Sequence, residues 1–515
     1  MINETSIITN KSDRQLLGVS RFFTAGNKGI FDYVPRFGKT ITALKVAREV
    51  MKVANNATIL IIAPNELTLR QWYATINDFN LSLPYKDKLR SFYVTTMNKF
   101  VDNHIRIDIN YGIIIYDEIH NYTTTTRLAA LDSKHVTAEY KLGLTGTMPV
   151  GEKKMMITSI LPVVDVITEE EAIRNKWISN YIEYNFGVQF TEPEEYAYTV
   201  YSNHIANMLT LFKGLSDKLK SITFNKTVNG TLIPNYKFSF KDDYTLIMAC
   251  AFGYKNYEYD AYISPNDVCK AVGYIKGYSK HLDLTNKYNK MISDNWAPDV
   301  IQSNCNKFKV YTTNRNRIMT DSEVKMDTII SLLNEFKNKT TIIFMGSTNS
   351  ADIITTKINN AFNDNYAICY HSSIESKYLR DENGNLITYK NGKPKKFGKV
   401  GLLKYAVEQL NKNKTKVLVT VDALNEGLNI PSINLAITAF GTTNPISHIQ
   451  RIGRAKTINP DNKDEKVIII NVFFDDFIDA EDKTVVSRDK IKLLERQGKN
   501  SSRVVKINDK KSIIF

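Results

Sequence analysis

Ile30-Phe31-Asp32-Tyr33-Val34-Pro35-Arg36-Phe37-Gly38-Lys39-Thr40-Ile41-Thr42-Ala43-Leu44 is the stretch from which the rest of the chain is read. Residues 30–34 are apolar, aromatic or β-branched with one exception, the pattern of a buried strand, and Ala43, Val46, Ala47 and Val50 recur beyond them at helical spacing. Gly38, Lys39 and Thr40 fall in the loop where that helix begins. A glycine-bearing loop at a helix N-terminus turns backbone N–H groups and the positive end of the helix dipole toward an anion, and suits a phosphate. A lysine there neutralises phosphate charge, and a threonine hydroxyl is placed to hold Mg²⁺. The full phosphate-loop pattern has its first glycine five residues before the second, and at that place the chain has Tyr33.

Residues 59–63, 91–95, 113–116 and 141–144 read as further buried strands, too uniformly apolar for a sheet with one wet face. Strands and helices in alternation imply a parallel sheet. The same rhythm returns at 340–344, 367–370, 416–421, 435–439 and 467–472. From 188 to 320 there is no comparable strand series, and Tyr-rich helical stretches alternate with polar turns. The pattern implies an α/β protein with two parallel-sheet domains, 1–187 and 321–480. A mainly helical accessory region, 188–320, lies between them, and a basic segment, 481–515, closes the chain. Asn383-Gly384 and Asn391-Gly392 bracket a strand-like run, the strongest short hairpin signal, so residues 381–399 are expected to form a basic β-hairpin carrying Lys390, Lys393, Lys395, Lys396 and Lys399.

Composition sets outer bounds. A chain of 515 residues exceeds what one hydrophobic core usually supports, and 43% hydrophobic with 24% charged residues excludes disorder as the main state. Lys and Arg number 68 against 54 Asp and Glu, and a net charge of +14 favours a polyanionic partner, nucleic acid or anionic lipid. The longest apolar runs, such as 58–63 and 467–472, fall far short of the roughly 20 residues a membrane helix needs. Residues 1–14 lack an apolar secretory core, so a cytoplasmic protein is expected. Cys250, Cys269, Cys305 and Cys369 form no C-x-x-C pair, which argues for small buried hydrophobes rather than a metal or disulfide framework.

Residues 113–120, Ile-Ile-Ile-Tyr-Asp-Glu-Ile-His, place two carboxylates just past a buried strand. Ligands of open α/β sheets bind at the carboxyl ends of strands, where this pair would meet the phosphate loop. Asp117 suits Mg²⁺ held through water, and Glu118 suits the base that orients an attacking water.

Asp117-Glu118-Ile119-His120 resembles the DEAD/DEAH box of superfamily 2 helicases, and further segments fall in that family's order. Arg14-Gln15 resembles the adenine-reading Q motif; residues 61–64 with Gln71-Trp72 resemble motif Ia, Thr95-Thr96 motif Ib, and 144–147 motif III. Ile343-Phe344 with Ser347 resembles motif IV, Tyr370-His371-Ser372 the strand end that follows it, 421–431 motif V, and 450–454 motif VI. The resemblance implies two RecA-like domains that bind ATP and Mg²⁺ and grip nucleic acid without reading its sequence. It assigns ATP contacts to Arg14, Gln15, Arg36, Phe37, Gly38, Lys39, Thr40, Gly427 and Asn429, and Mg²⁺ to Thr40 and Asp117. It gives catalysis to Lys39, Glu118, Arg451 and Arg454, and coupling to His120, Thr145, Thr147 and Gln450. Nucleic-acid contact falls to Pro64, Arg70, Thr95, Thr96, Ser347, His371 and Thr420. The family's motif VI ends in a further arginine, where this chain has Thr457 beside Lys456.

The nearest patterns are those of phage recombination and repair helicases and of restriction-enzyme motors, which implies DNA rather than RNA as the partner. A nucleotide-gated clamp with weak hydrolysis and a phage DNA-packaging motor are the alternatives. Tyr254, Tyr257, Tyr259 and Tyr262 are either base-stacking residues or ordinary filler.

Overall fold

The computed structural model describes residues 10–54, 57–104, 108–228, 231–256, 261–276, 296–363, 365–371, 373, 377–378, 387–388, 392–394, 396–397, 399–421, 433–439, 466–478, 484–497 and 504–507. Six strands build the first sheet: β1 (Lys28–Tyr33), β2 (Ile59–Ala63), β3 (Phe92–Thr96), β4 (Ile109–Tyr116), β5 (Val136–Thr145) and β6 (Val163–Ile167). Their order is β3-β2-β4-β5-β1-β6, and every pairing is parallel. The continuous apolar runs are explained by burial on both faces. Ile59 and Ile61 pack in one cluster with Ala43, Val46, Ala47 and Val50, while Leu60 and Ile62 alternate into a second cluster with Met97, Phe100 and Tyr122. Helix α1 (Lys11–Thr24) precedes β1, α2 (Lys39–Val53) follows it, and α3 (Glu66–Leu81) follows β2.

The next strand, β7 (Tyr181–Val188), leaves this sheet. It pairs along its whole length with a strand near the far end of the chain and belongs to the second domain, so the boundary expected at 187 falls on the wrong side of it. The accessory unit spans residues 189–324 together with 477–485. Its helices, among them Glu192–Phe212, Asp243–Phe252, Pro265–Ile275 and Pro298–Thr320, enclose a separate core with two hairpins, β8 (Thr223–Val228) with β9 (Thr231–Lys237) and β10 (Tyr254–Asn256) with β11 (Ala261–Ile263). Cys250, Cys269 and Cys305 are fully buried there as free thiols, which is the role expected of them; Cys369, in the second domain, is half-buried. Tyr254 is likewise core material, with its hydroxyl 2.6 Å from that of Tyr236 and its ring edge-on to Phe240. Tyr262 is exposed, and Tyr257 and Tyr259 lie outside the described residues.

The second sheet takes β12 (Thr341–Phe344), β13 (Ala367–Tyr370), β16 (Val417–Thr420), β17 (Leu435–Thr438) and β18 (Val467–Phe474), and adds β7 and β21 (Val504–Ile507). Its order is β13-β16-β12-β17-β18-β7-β21, again parallel throughout. The C-terminal segment is therefore not an appendage: it supplies the helix Arg488–Gln497 and an edge strand. β14 (Lys377–Tyr378), which precedes the expected hairpin, pairs antiparallel with β15 (Lys396–Phe397) inside it, and Thr388 bridges Pro394. Residues 381–386, 389–391, 395 and 398, Asn383-Gly384 among them, lie outside the described residues. A last small hairpin, β19 (Phe477–Ile478) with β20 (Thr484–Val485), belongs to the accessory unit. Among the described residues, no helix is long and apolar enough to cross a membrane.

One buried carboxylate fastens α1 to the first sheet. Asp165 on β6 receives Arg14 through both carboxylate oxygens (2.7 and 3.0 Å), Arg21 at 2.6 Å and the Tyr33 hydroxyl at 2.6 Å. Arg14 also reaches Glu171 at 2.9 Å. Tyr33, the departure from the phosphate-loop pattern, is thus turned inward. It stacks on Phe31 (centroids 4.9 Å apart) and meets Phe37 edge-on, beneath the loop rather than in it. Gly18 on α1 makes room for it, since a Cβ there would lie 2.1 Å from the Tyr33 hydroxyl oxygen. Gly18→Ala is therefore expected to destabilise the first domain by about 1–3 kcal/mol, the usual cost of overpacking. Adding Tyr33→Phe removes the closest clash and should recover part of that loss in urea unfolding. A neutral Gly18→Ala would contradict this packing.

Candidate active site

The phosphate loop is residues 34–38, between β1 and α2. Arg36 (φ 73°) and Gly38 (φ 105°) both take the left-handed backbone that folds the loop back over the helix start. The left-handed φ favours glycine at 38, and a Cβ there would also stand 2.8 Å from Gln15 Nε2, which would have to shift. The loop is held from beneath: Lys11 Nζ donates to the carbonyls of Arg36 (3.0 Å) and Trp177 (3.3 Å), and Gln15 Nε2 donates to the carbonyl of Phe37 (3.3 Å). Burial, with the charge of Arg36, brings the Lys11 pKa down to about 8. No side chain caps α2, whose first residues are Lys39 and Thr40. Its leading N–H groups and macrodipole thus suit phosphate oxygens.

The Q-motif pair divides in function. Gln15 touches the loop backbone and accepts from Lys45 at 2.9 Å. Arg14, expected at the nucleotide, is 5% exposed and engaged by Asp165 and Glu171, so its guanidinium holds the fold instead. Phe37 is also a core residue, fully buried and edge-on to Trp177, and only its backbone faces the loop chemistry.

The acidic pair follows β4. Asp117 N–H donates to the Ile62 carbonyl at 2.9 Å, which ties the turn to the end of β2, and Glu118 takes a left-handed φ of 49° that turns its side chain back toward α2. Glu118 Oε1 lies 3.4 Å from Lys39 Nζ, and Oε2 lies 3.2 Å from His120 Nδ1. Burial opposes the charged form of Glu118, but the Lys39 ammonium and the His120 contact outweigh it and hold the carboxyl well below the usual range. Asp117 moves the other way: burial, then the neighbouring Glu118 charge, push it up. Its Oδ2 accepts from Trp72 Nε1 at 2.8 Å, and its Oδ1 accepts from the Glu118 N–H at 3.0 Å.

From Glu118 the contacts run on to the end of β5. His120 Nδ1 lies 3.1 Å from Thr145 Oγ1, which in turn accepts from the Thr147 N–H at 3.1 Å. Gly146, between them, has no room for a side chain, because a Cβ would sit 2.7 Å from Lys39 Nζ and 3.2 Å from Pro35. Asp32, on β1, joins the same group; burial raises its pKa, against the charges of Lys39 and Lys154 and the Met148 N–H. Carboxylate and hydroxyl oxygens at Asp117 and Thr40 are the hard donors Mg²⁺ takes, and the cradle at Gly38 and Lys39 fits a phosphate chain. The residues present therefore fit a Mg²⁺-nucleotide.

The expected nucleic-acid contacts follow the carboxyl ends of neighbouring strands. Pro64 and Thr95-Thr96 stand at the ends of β2 and β3, which pair in register. Ser347, His371 and Thr420 stand at or after the ends of β12, β13 and β16, also neighbours. Pro64 is half-buried and Arg70 exposed, whereas Thr95, Thr96, His371 and Thr420 are buried. Ser347 caps the helix Thr348–Ala361, and His371 Nε2 lies 3.2 Å from both carboxylate oxygens of Asp352. Thr420 Oγ1 is buried without a hydrogen-bond partner among the described residues. Gly427, Asn429, Gln450, Arg451 and Arg454 lie outside the described residues. Sequence reasoning missed the roles of Asp32, Asp165 and Gly146 and the contact from Trp72; only the places of Trp72 in motif Ia and of Gly146 in motif III signalled anything.

Two parallel sheets in tandem, the first with a phosphate loop after β1 and an acidic pair after β4, define a RecA-like nucleotide-binding protein. Residues 19–150 match the family model described as type III restriction enzyme, res subunit, and residues 401–459 match that described as helicase conserved C-terminal domain. No curated protein matches the chain. Among solved structures it is similar to the helicase domain of Hef from Pyrococcus furiosus, at 14% identity over 93% of this chain and 96% of that one, with a TM-score of 0.44. The two matched segments, in this order, make the chain similar to superfamily 2 helicases over residues 19–150 and 401–459.

Gly146→Ala should push Lys39 from its place without disturbing the sheet. We expect binding of a fluorescent ATP analogue to weaken about tenfold or more, the scale of one charge-assisted contact, with an unchanged circular dichroism spectrum. Undiminished binding would show that Lys39 does not depend on this clearance.

Proposed function

We propose that the protein is an ATP-driven translocase or helicase that moves along DNA and hydrolyses ATP at the site built on Lys39, Asp117 and Glu118. The observation that carries this reading is the contact chain Lys39–Glu118–His120–Thr145, which links the phosphate lysine to the loop after β5 within one sheet. Lys39 leaves Glu118 for the phosphates, Thr40 and Asp117 hold the metal, and the freed Glu118 carboxylate orients the attacking water. Mg²⁺, when bound, neutralises charge on the phosphate oxygens. Arg454, with Arg451 beside it, is the arginine finger of this proposal. Motif III then reports nucleotide state through Thr145 and Thr147.

A polyanionic partner is favoured by the +14 charge, and DNA by the motif forms Gln450-Arg451-Ile452-Gly453-Arg454 and Gly427-Leu428-Asn429-Ile430-Pro431. Contact at strand-end loops goes mainly to the sugar–phosphate backbone, so binding is independent of sequence. The inward packing of Tyr33 removes one reason to expect weak hydrolysis, because its ring does not occupy the phosphate loop.

Three measurements test this. Lys39→Ala should abolish ATP turnover, and Glu118→Gln should abolish it while nucleotide still binds; wild-type turnover in either would sink the assignment. Arg454→Ala should slow hydrolysis by roughly 10³-fold or more with little change in ATP affinity. Normal hydrolysis there, with loss in Lys456→Ala, would move the finger to Lys456. Affinity for single-stranded or forked DNA should fall about 10³-fold or more between roughly 50 and 200 mM salt, with little dependence on sequence. A flat salt response would refute backbone tracking.

A further inference from the structure

Asp117 is held by two donors at once. One is the adjacent Glu118 N–H, a local turn contact; the other comes from Trp72, a residue of another element. Trp72 is 1% exposed and sits in the principal core of the first domain, so packing fixes its ring. An indole N–H is a donor only, and a buried donor without an acceptor costs free energy, so the 2.8 Å contact constrains both partners.

Helix α3, which carries Trp72, starts directly after β2. Asn65 caps it by accepting from the Thr68 N–H at 2.9 Å, and Pro64 immediately precedes the cap. Arg70 and Trp72 are two residues apart, and at 3.6 residues per turn they point to nearly opposite sides of the helix. The structure shows that division: Arg70 is exposed and Trp72 is buried against Asp117. A phosphate held by Arg70 would therefore load a helix whose inner side contacts the Asp117 carboxylate.

We propose that Trp72 is a positioning residue, its indole N–H pinning Asp117 and coupling nucleic-acid contact at the start of α3 to the geometry of the metal site. This rests on the nucleotide-site reading above. The first test uses the full-length chain and Trp72→Phe, which keeps the aromatic packing and deletes the N–H. Mn²⁺ stands in for Mg²⁺ and is titrated in the presence of ADP, with free metal read by electron paramagnetic resonance. We expect Mn²⁺ affinity to fall about tenfold, the scale of a hydrogen bond to a charged group, and single-stranded DNA to lose most of its stimulation of ATP turnover. Equal Mn²⁺ affinity in wild type and variant would overturn the proposal. Failure of wild type to bind Mn²⁺ with ADP would instead overturn the nucleotide-site reading.

A second measurement does not depend on the variant folding. In wild-type protein labelled with ¹⁵N-tryptophan, the indole signals belong to Trp72, Trp177 and Trp296. Trp72 is assigned by elimination, using Trp177→Phe and Trp296→Phe. Its resonance should move on addition of Mg²⁺ and ADP, and again on addition of single-stranded DNA. A resonance that ignores DNA would overturn the coupling.

Discussion

The candidate nucleotide site stands on a buried carboxylate, Asp165, that lies outside its proposed chemistry. Asp165 is 3% exposed and collects two arginines and a tyrosine from α1 and β1. Burying such charges is expensive, and the arrangement is sustained only because both carboxylate oxygens and most of the Arg14 guanidinium are satisfied together. Removing Arg14 or Asp165 would break the buried pair under the loop, a loss of about 3–5 kcal/mol in comparable cases. The consequence for function is positional. With α1 fixed, Lys11 and Gln15 reach the loop carbonyls from below, and the left-handed turns at Arg36 and Gly38 are over-determined rather than merely permitted.

Most of the sheet-forming segments were legible because their interiors are apolar on both faces. Residues 59–63 and 367–370 fall where the strands are, and 113–116 mark the buried end of the longer β4. Two strands that escaped notice contain buried polar residues. β6 carries Asp165, whose partners come from α1 and β1, and β7 carries Glu183 and Asn185, which accept from Asn471 of β18 at 2.7 and 3.0 Å. A buried polar residue looks like a surface one until its partner is known, and Asn471 lies far along the chain from both. The misplaced domain boundary at 187 has the same origin. No local pattern announces that β7 and β21 complete a sheet whose other strands lie in between.

The site divides along a similar line. Residue types that carry charge or hydroxyls at strand ends, Lys39, Thr40, Asp117 and Glu118, could be proposed from the sequence because phosphoryl-transfer chemistry uses them there, and the structure brings Lys39 and Glu118 to 3.4 Å. What the sequence could not express was exclusion and spacing. Gly146 matters for the side chain it lacks, since Lys39 Nζ fills the place a Cβ would take. Arg14 was misread for the opposite reason: a motif names a residue type, and only geometry shows that its guanidinium is already spent on Asp165 and Glu171.

These features bear on how one site could drive movement. Lys39 touches Glu118 by charge and Gly146 by packing, so any displacement of its ammonium is felt both at the acidic pair and at the loop after β5. His120 closes the circuit, standing 3.2 Å from Glu118 and 3.1 Å from Thr145. Buried networks of this kind have few alternative arrangements, because each donor that moves must find another acceptor or pay for its desolvation. A phosphate that draws Lys39 away therefore cannot leave the rest unchanged: Glu118 loses its cation, His120 gains a freer carboxylate, and Thr145 and Thr147 must readjust. Trp72 brings α3 to the same acidic pair from the other side. In the proposed cycle the pair Asp117-Glu118 is thus the junction at which nucleotide state and nucleic-acid grip meet, and its stiffness, rather than any single contact energy, sets how faithfully one is converted into the other.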